Sequence, residues 1–129
     1  HLQAKYGPLL GTFLLGLLWA GWHLPNLLFQ PGGLSTFGLW FAATLVNAFV
    51  LAWVYNATNS SVLLVMVLPA AQNVTSRLVA NLLGATDPVA FMNEYYLLSV
   101  LTFGTVMAVV LLLTRGRLGD STTLYYSVR

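Results

Sequence analysis

The sequence predicts an all-α membrane protein, a polytopic helical bundle with four transmembrane helices. Of its 129 residues, 58% are apolar and only 6% are charged, and the mean hydropathy is +0.80. A soluble domain of this size needs a more highly charged surface than these residues supply. Four apolar stretches reach the length of about 20 residues that a helix needs to cross a bilayer. The predicted spans are residues 8–29, 34–55, 60–83 and 95–114.

Short connections rich in helix-breaking residues separate the predicted spans. Their sequences are QPGG (30–33), NATN (56–59) and GATDP (84–88). Because the connections are short, we expect consecutive helices to be antiparallel neighbours, and the stretches lack the alternating pattern of β-barrel strands. Residues 1–114 form the predicted membrane domain, and residues 115–129 form a polar C-terminal tail.

Residues near the span ends predict the orientation in the membrane. Lys5 precedes the first span, and Arg115, Arg117 and Arg129 follow the fourth, whereas the first and third connections carry no basic residue. Cytoplasmic loops carry an excess of lysine and arginine, so both termini are expected in the cytoplasm. Aromatic residues near span ends are expected in the interfacial belt, and these are Trp40, Trp53, Tyr55, Tyr95 and Tyr96.

Composition also excludes some classes of function. The net charge of +2 comes from five basic and three acidic residues, which is too few for the basic patch of a nucleic-acid-binding protein. The chain has no cysteine, and it therefore has no disulfide framework and no thiolate metal site. Membrane lipid is the one partner that composition predicts, and no oligomeric state follows from it.

The first and third spans each carry a polar face. His23 lies 15 residues after Pro8, and Asn73 lies 13 residues after Ser60. Because these two spans run in the same direction, both side chains sit about 20 Å along their helices. We therefore expect the two spans to be neighbours, with His23 and Asn73 turned toward one polar cavity. The two faces, at 100° per residue, comprise Thr12, Gly16, Trp19, Ala20, His23 and Asn26, and Pro69, Gln72, Asn73, Ser76, Arg77 and Ala80.

Some of these polar residues have structural explanations. A polar side chain inside a bundle can hydrogen-bond across helices, which is worth about 0.6 to 2 kcal/mol. We prefer this explanation for Gln72 and Ser76. For Arg77, we expect the side chain to extend toward the far interface rather than to take part in chemistry. For His23 we expect a functional role, because ionisable groups at membrane depth are costly and usually mark a site.

Three sequence motifs resemble those of a known family. WAGWHLP (19–25) is followed by WVYNAT (53–58) and then by PAAQN (69–73). Together they resemble the CPBP family of intramembrane proteases, also called ABI, which includes the type II CAAX prenyl proteases. One family motif is an aromatic residue, three positions and a histidine, and Trp19 and His23 fit it.

The chain departs from the family pattern at two points. A second motif has histidine, three positions, and then asparagine or a small residue; Asn73 matches, but Pro69 stands where the histidine belongs. The family's glutamate motif normally precedes a stretch similar to LQAKYGP (2–8), so we expect it before His1. The resemblance covers residues 1–83 well.

The resemblance implies the C-terminal part of an intramembrane endopeptidase, from a bacterium or archaeon, that acts on a peptide or a prenylated protein. In the family, a glutamate activates the water that attacks the peptide bond. His23 would orient that water and Asn73 would donate to the oxyanion, with Trp19 and Asn26 as substrate-binding residues. Neither a cofactor nor a metal is expected, because one histidine and one asparagine are a poor zinc site. Without the glutamate, this chain is expected to be inactive.

Two alternatives remain open. A non-catalytic immunity or scaffold protein of the same fold is favoured by Pro69 in place of histidine. A small multidrug exporter matches in size, but it needs a membrane-embedded carboxylate, and none of the four predicted spans contains one.

Overall fold

The computed structural model describes residues 2–29 and 32–119. His1, Gln30, Pro31 and residues 120–129, which include Arg129 and most of the predicted tail, lie outside the described residues.

The described residues form helices joined by short connections, with no β-strand among them, which confirms the all-α prediction. A short helix precedes four long ones, and the first two long helices are joined through a 3-10 helix. In chain order the elements are α1 (Leu2–Tyr6), α2 (Pro8–Leu28), the 3-10 helix (Gly33–Thr36), α3 (Phe37–Ala57), α4 (Val62–Leu82) and α5 (Pro88–Thr114).

Three helical segments within the described ranges are long and apolar enough to cross a membrane. They are Gly33–Ala57, Val62–Leu82 and Pro88–Thr114. Helix α2 is as long as α4, at 21 residues, but it is not among these three segments. Transmembrane crossing by α2, and with it the count of four spans, remains a prediction.

Helix α5 begins seven residues earlier than the sequence predicts. The Asp87 side chain caps it by accepting hydrogen bonds from the backbone N–H groups of Val89 and Ala90, at 2.9 and 3.1 Å. Pro88 occupies the first helical position, where its missing N–H costs nothing. The additional two turns contain Glu94. Its exposed carboxylate lies outside the predicted span 95–114 but inside helix α5.

Small residues bring α2 and α3 close together. Thr12, Gly16 and Ala20 of α2 are buried. A Cβ atom at Gly16 would lie 3.0 Å from Leu45 Cδ2 and 3.2 Å from Ala48 Cβ. Small residues permit such close approach of helix backbones in membranes. The prediction that this face of α2 points into the bundle is confirmed.

Helix α3 is the centre of the bundle. It packs against α2 and α5 and, over a smaller area, against α4, which has no buried residue. Helices α2 and α4, expected to be neighbours, do not pack closely against each other in the described residues; each packs against α3. The polar face of α4 contacts α3 through a hydrogen bond of 2.9 Å, which Asn47 Nδ2 donates to Gln72 Oε1.

The first residues of the predicted tail pack onto the bundle. The chain leaves α5 through Arg115, whose φ of 51° ends the helix. Leu118 is then fully buried beside Ala52 and Val110. Its carbonyl oxygen accepts a 3.0 Å hydrogen bond from Asn56 Nδ2. The domain boundary at residue 114 remains a prediction, but the chain contacts α3 beyond it.

Candidate functional site

A cavity of about 630 Å³ lies between α2, α3, α4 and α5. It extends from the connection between α4 and α5, where Ala85 lines it, to the level of Pro69 and Ser99 further along those helices. Twelve residues separate Asn81 from Pro69 along α4, which is about 18 Å of helix. The cavity therefore reaches roughly to the middle of the bundle.

All four residues that the sequence assigns to a site line this one cavity. Trp19, His23 and Asn26 come from the C-terminal half of α2, and Asn73 comes from the C-terminal half of α4. His23 and Trp19 are half-buried, whereas Asn26 and Asn73 are exposed to the cavity space. His23 and Asn73 thus line one cavity, from helices on opposite sides of it, and their common depth remains a prediction.

The His23 ring is held by its own helix. Its Nδ1 atom donates a 3.0 Å hydrogen bond to the backbone carbonyl oxygen of Trp19, one turn earlier. The two rings also meet edge to face, with centroids 5.9 Å apart and planes at 75°. A carbonyl oxygen can only accept, so Nδ1 carries the hydrogen. In the neutral ring, Nε2 is therefore left as an acceptor.

The polar face of α4 forms one wall of the cavity, and all six residues that the sequence placed on this face line it. Gln72 bonds across helices to Asn47 as predicted. Ser76 does not, because its hydroxyl donates to the Asn73 carbonyl oxygen of the same helix, at 3.0 Å. Arg77 lines the cavity together with Asn73 and is exposed, and its expected extension toward the far interface remains a prediction.

Two residues of the wall were not recognised from the sequence. Asn47 binds the Gln72 side chain, and the Tyr95 hydroxyl donates a 3.3 Å hydrogen bond to the Gln72 backbone carbonyl oxygen. Asn47 could have been found, because it is a lone amide in an otherwise apolar span. Tyr95 was assigned to the interfacial belt together with Tyr96. Both instead line the cavity, and Tyr96 is buried.

The charge in the cavity is unbalanced. Arg77 is the one permanently charged side chain among the described residues that line it. Asp87 and Glu94 lie outside the lining, and Pro69 occupies the position one turn before Asn73. In the described part of the chain, no three His, Cys, Asp or Glu side chains come together as a metal site would need. The described wall thus offers amides, hydroxyls, an imidazole and a guanidinium, but no carboxylate.

Comparison with known proteins gives one match. The family model described as Type II CAAX prenyl endopeptidase Rce1-like matches residues 1–75, more than half of the 129-residue chain. No curated protein and no solved structure matches the chain. The matched segment contains both His23 and Asn73, whereas Arg77 and all of α5 lie beyond it.

Proposed function

Because the chain belongs to the Type II CAAX prenyl endopeptidase Rce1-like family, we propose that its cavity is the C-terminal part of an intramembrane endopeptidase site. The substrate would be a peptide or a prenylated protein that enters between α2 and α4. One observation carries the proposal: His23 and Asn73, on separate helices within the matched segment, line the same cavity. Residues that act on one peptide bond must reach one reacting group.

The roles of the two residues follow from their donors and acceptors. With Nδ1 bonded to Trp19, the Nε2 atom of neutral His23 accepts a hydrogen from water and holds that water in position. The Asn73 amide donates a hydrogen bond to the oxygen on which negative charge develops as the carbonyl is attacked. Trp19 and Asn26, on the same wall as His23, contact the substrate.

The described cavity residues lack the glutamate that serves as general base in the family. Attack by water requires a group that removes its proton, and no described cavity residue is a carboxylate. Such a base contributes about 10²- to 10⁴-fold to the rate. Pro69 adds no polar group and cannot replace the family histidine. We therefore propose that the 129-residue chain by itself binds substrate but does not cleave it.

A non-catalytic role is the second candidate, as a membrane immunity or scaffold protein of the same fold. It is favoured by Pro69 at the position expected for histidine and by the lack of a carboxylate in the described wall. The two candidates share a peptide-binding cavity and differ in chemistry. Adding the family's glutamate motif to the chain distinguishes the two candidates. An endopeptidase site should then cleave the peptide, and a scaffold should not.

The proposed location is the cell membrane of a prokaryote, with both termini in the cytoplasm. Lys5 before α2 and Arg115 and Arg117 after α5 support this orientation. It places the connection between α4 and α5, and the end of the cavity that Ala85 lines, on the non-cytoplasmic side.

The proposal is tested by measuring binding and cleavage separately on the full chain in lipid nanodiscs. A fluorescent prenylated peptide should bind, and Asn73→Ala should weaken its binding about 3- to 10-fold, as expected for loss of one neutral hydrogen bond. Asn59→Ala, in a connection away from the cavity, is the matched control and should bind as the unmodified chain does. Mass spectrometry should detect no cleaved peptide.

Two results would contradict the proposal. No binding by the unmodified chain would remove the substrate site. Cleavage by the unmodified chain that His23→Ala abolishes would show that the site is complete without a glutamate.

A further inference from the structure

We propose that Arg77 binds a carboxylate of the peptide in the cavity and so selects substrates that carry one near the scissile bond. This inference rests on the proposed function, because it assigns a specificity residue to the same cavity. It concerns a residue beyond the segment that the family model matches.

The first step is that no described residue supplies a counter-charge to Arg77. Among the described residues it makes no ion pair and no hydrogen bond, although it lines the cavity. Asp87 is engaged in capping α5, and Glu94 does not line the cavity. The Arg77 side chain is exposed to the cavity space, so its N–H groups are open to an anionic ligand.

The second step is the shape of the donor. Guanidinium is a planar fork of N–H groups that matches the two oxygens of a carboxylate, and such pairs are stronger than neutral hydrogen bonds. The other polar groups nearby on α4, the amides of Asn73 and Asn81, are neutral and can assist without competing for the anion.

The third step is position. Arg77 follows Asn73 by four residues on the same face of α4, which is about 6 Å along the helix. An extended peptide covers about 3.3 to 3.6 Å per residue. A carboxylate at Arg77 therefore lies about two residues from the peptide carbonyl that Asn73 contacts. It is supplied either by the free C-terminus of the peptide or by an acidic side chain.

A lipid phosphate fits this position less well. Arg77 lies five residues before the end of α4, about 7.5 Å inside it, and it lines the cavity between the helices. Phospholipid headgroups lie at the ends of membrane helices, so a peptide in the cavity is the better source of the anion.

The test compares three prenylated peptides on the full chain in phosphatidylcholine nanodiscs. One has a free C-terminal carboxylate, one has a C-terminal amide, and one has the amide with a glutamate two residues from the predicted scissile bond. In the unmodified chain, at least one carboxylate peptide should bind about 10- to 100-fold more tightly than the neutral one. Which of the two does so identifies the source of the carboxylate.

Variants of Arg77 give the decisive comparison. Arg77→Gln should bring the ratio of the affinities for the carboxylate peptide and the neutral peptide close to one. The neutral peptide should bind as before, which also shows that the variant is folded. Arg77→Lys keeps the charge without the fork and should retain an intermediate ratio. Arg117→Gln, which removes a cation outside the cavity, is the matched control and should retain the full ratio.

Several results would overturn the inference. These are equal binding of all three peptides by the unmodified chain, a ratio that survives in Arg77→Gln, and an equal loss in Arg117→Gln. Loss of the ratio when phosphatidylglycerol replaces phosphatidylcholine would assign Arg77 to a lipid phosphate instead. If no peptide binds at all, the proposed function itself fails, and this outcome is distinct from equal binding.

Discussion

The Nδ1 atom of His23 lies 3.0 Å from the backbone carbonyl oxygen of Trp19, one helical turn earlier in α2. The bond fixes which ring nitrogen carries hydrogen, and the Trp19 ring holds the imidazole edge to face. The imidazole is thereby oriented by groups of its own helix. Preorganised groups of this kind are those that stabilise developing charge at little further cost.

This bond makes a prediction about the tautomer of His23. In NMR spectra of the chain labelled with ¹⁵N-histidine, the neutral His23 ring should carry hydrogen on Nδ1 and leave Nε2 bare. The neutral imidazole in water prefers the opposite tautomer, so the signal is diagnostic. His23→Ala separates its resonances from those of His1. A His23 ring protonated mainly at Nε2 would show that the bond to Trp19 does not form.

The hydrogen bond between Asn47 and Gln72 should stabilise the contact of α3 with α4. It is the one side-chain to side-chain bond between these helices in the described residues, and such bonds in membranes average about 0.6 kcal/mol and reach about 1.7 kcal/mol. A double-mutant cycle with Asn47→Ala and Gln72→Ala, followed by unfolding in denaturing detergent, should give a coupling free energy in this range. Asn47→Ala paired with Asn81→Ala is the control and should give none. A coupling near zero in the first cycle would show that another contact holds α4.

Packing between α2 and α3 should tolerate a larger side chain at Gly21 but not at Gly16. An added Cβ at Gly16 meets Leu45 and Ala48 at 3.0 and 3.2 Å, whereas nothing lies within 4 Å of one at Gly21. Gly16→Val should therefore lower the free energy of unfolding by about 1 to 3 kcal/mol relative to Gly21→Val. Since both positions lie in α2, the helix propensity of valine cancels. Equal effects would contradict the close approach at Gly16.

The orientation can be read with single cysteines, because the chain has none of its own. Thr86→Cys, in the connection between α4 and α5, should react with a membrane-impermeant thiol reagent on intact cells. Ser60→Cys, between α3 and α4, should react only after permeabilisation. The reverse pattern would place both termini outside the cytoplasm.

Much of the bundle could be predicted from residue patterns. Periodicity placed six residues of α4 on one face that lines the cavity, and spacing indicated that His23 and Asn73 share that cavity. The start of α5 was missed because Asn93 and Glu94 make its first turns polar, although Asp87 and Pro88 signal a helix start there.

The relative placement of helices was harder to predict, because a polar face does not say what it faces. The faces of α2 and α4 could have packed together; they line a cavity, and Asn47 of α3 takes the hydrogen bond of Gln72. Whether the Arg77 side chain lines a cavity likewise depends on how the helices are arranged, and sequence periodicity does not predict that arrangement. Tyr95 and Tyr96 were misassigned for the same reason, since aromatic residues near a helix end suit a lipid interface and a cavity wall equally.

The measurement that tests the shared site most directly is cross-linking between residues 23 and 73. In a His23→Cys, Asn73→Cys chain in nanodiscs, bifunctional thiol reagents spanning less than about 15 Å should join α2 to α4, because residues of one site must reach one reacting group. Trp22→Cys paired with Asn73→Cys is the control: Trp22 is 82% exposed and lies outside the cavity lining, so the same reagents should not join that pair. Efficient cross-linking of the first pair alone is the predicted result. Failure of the first pair, or equal yield from both pairs, would contradict a common cavity for His23 and Asn73.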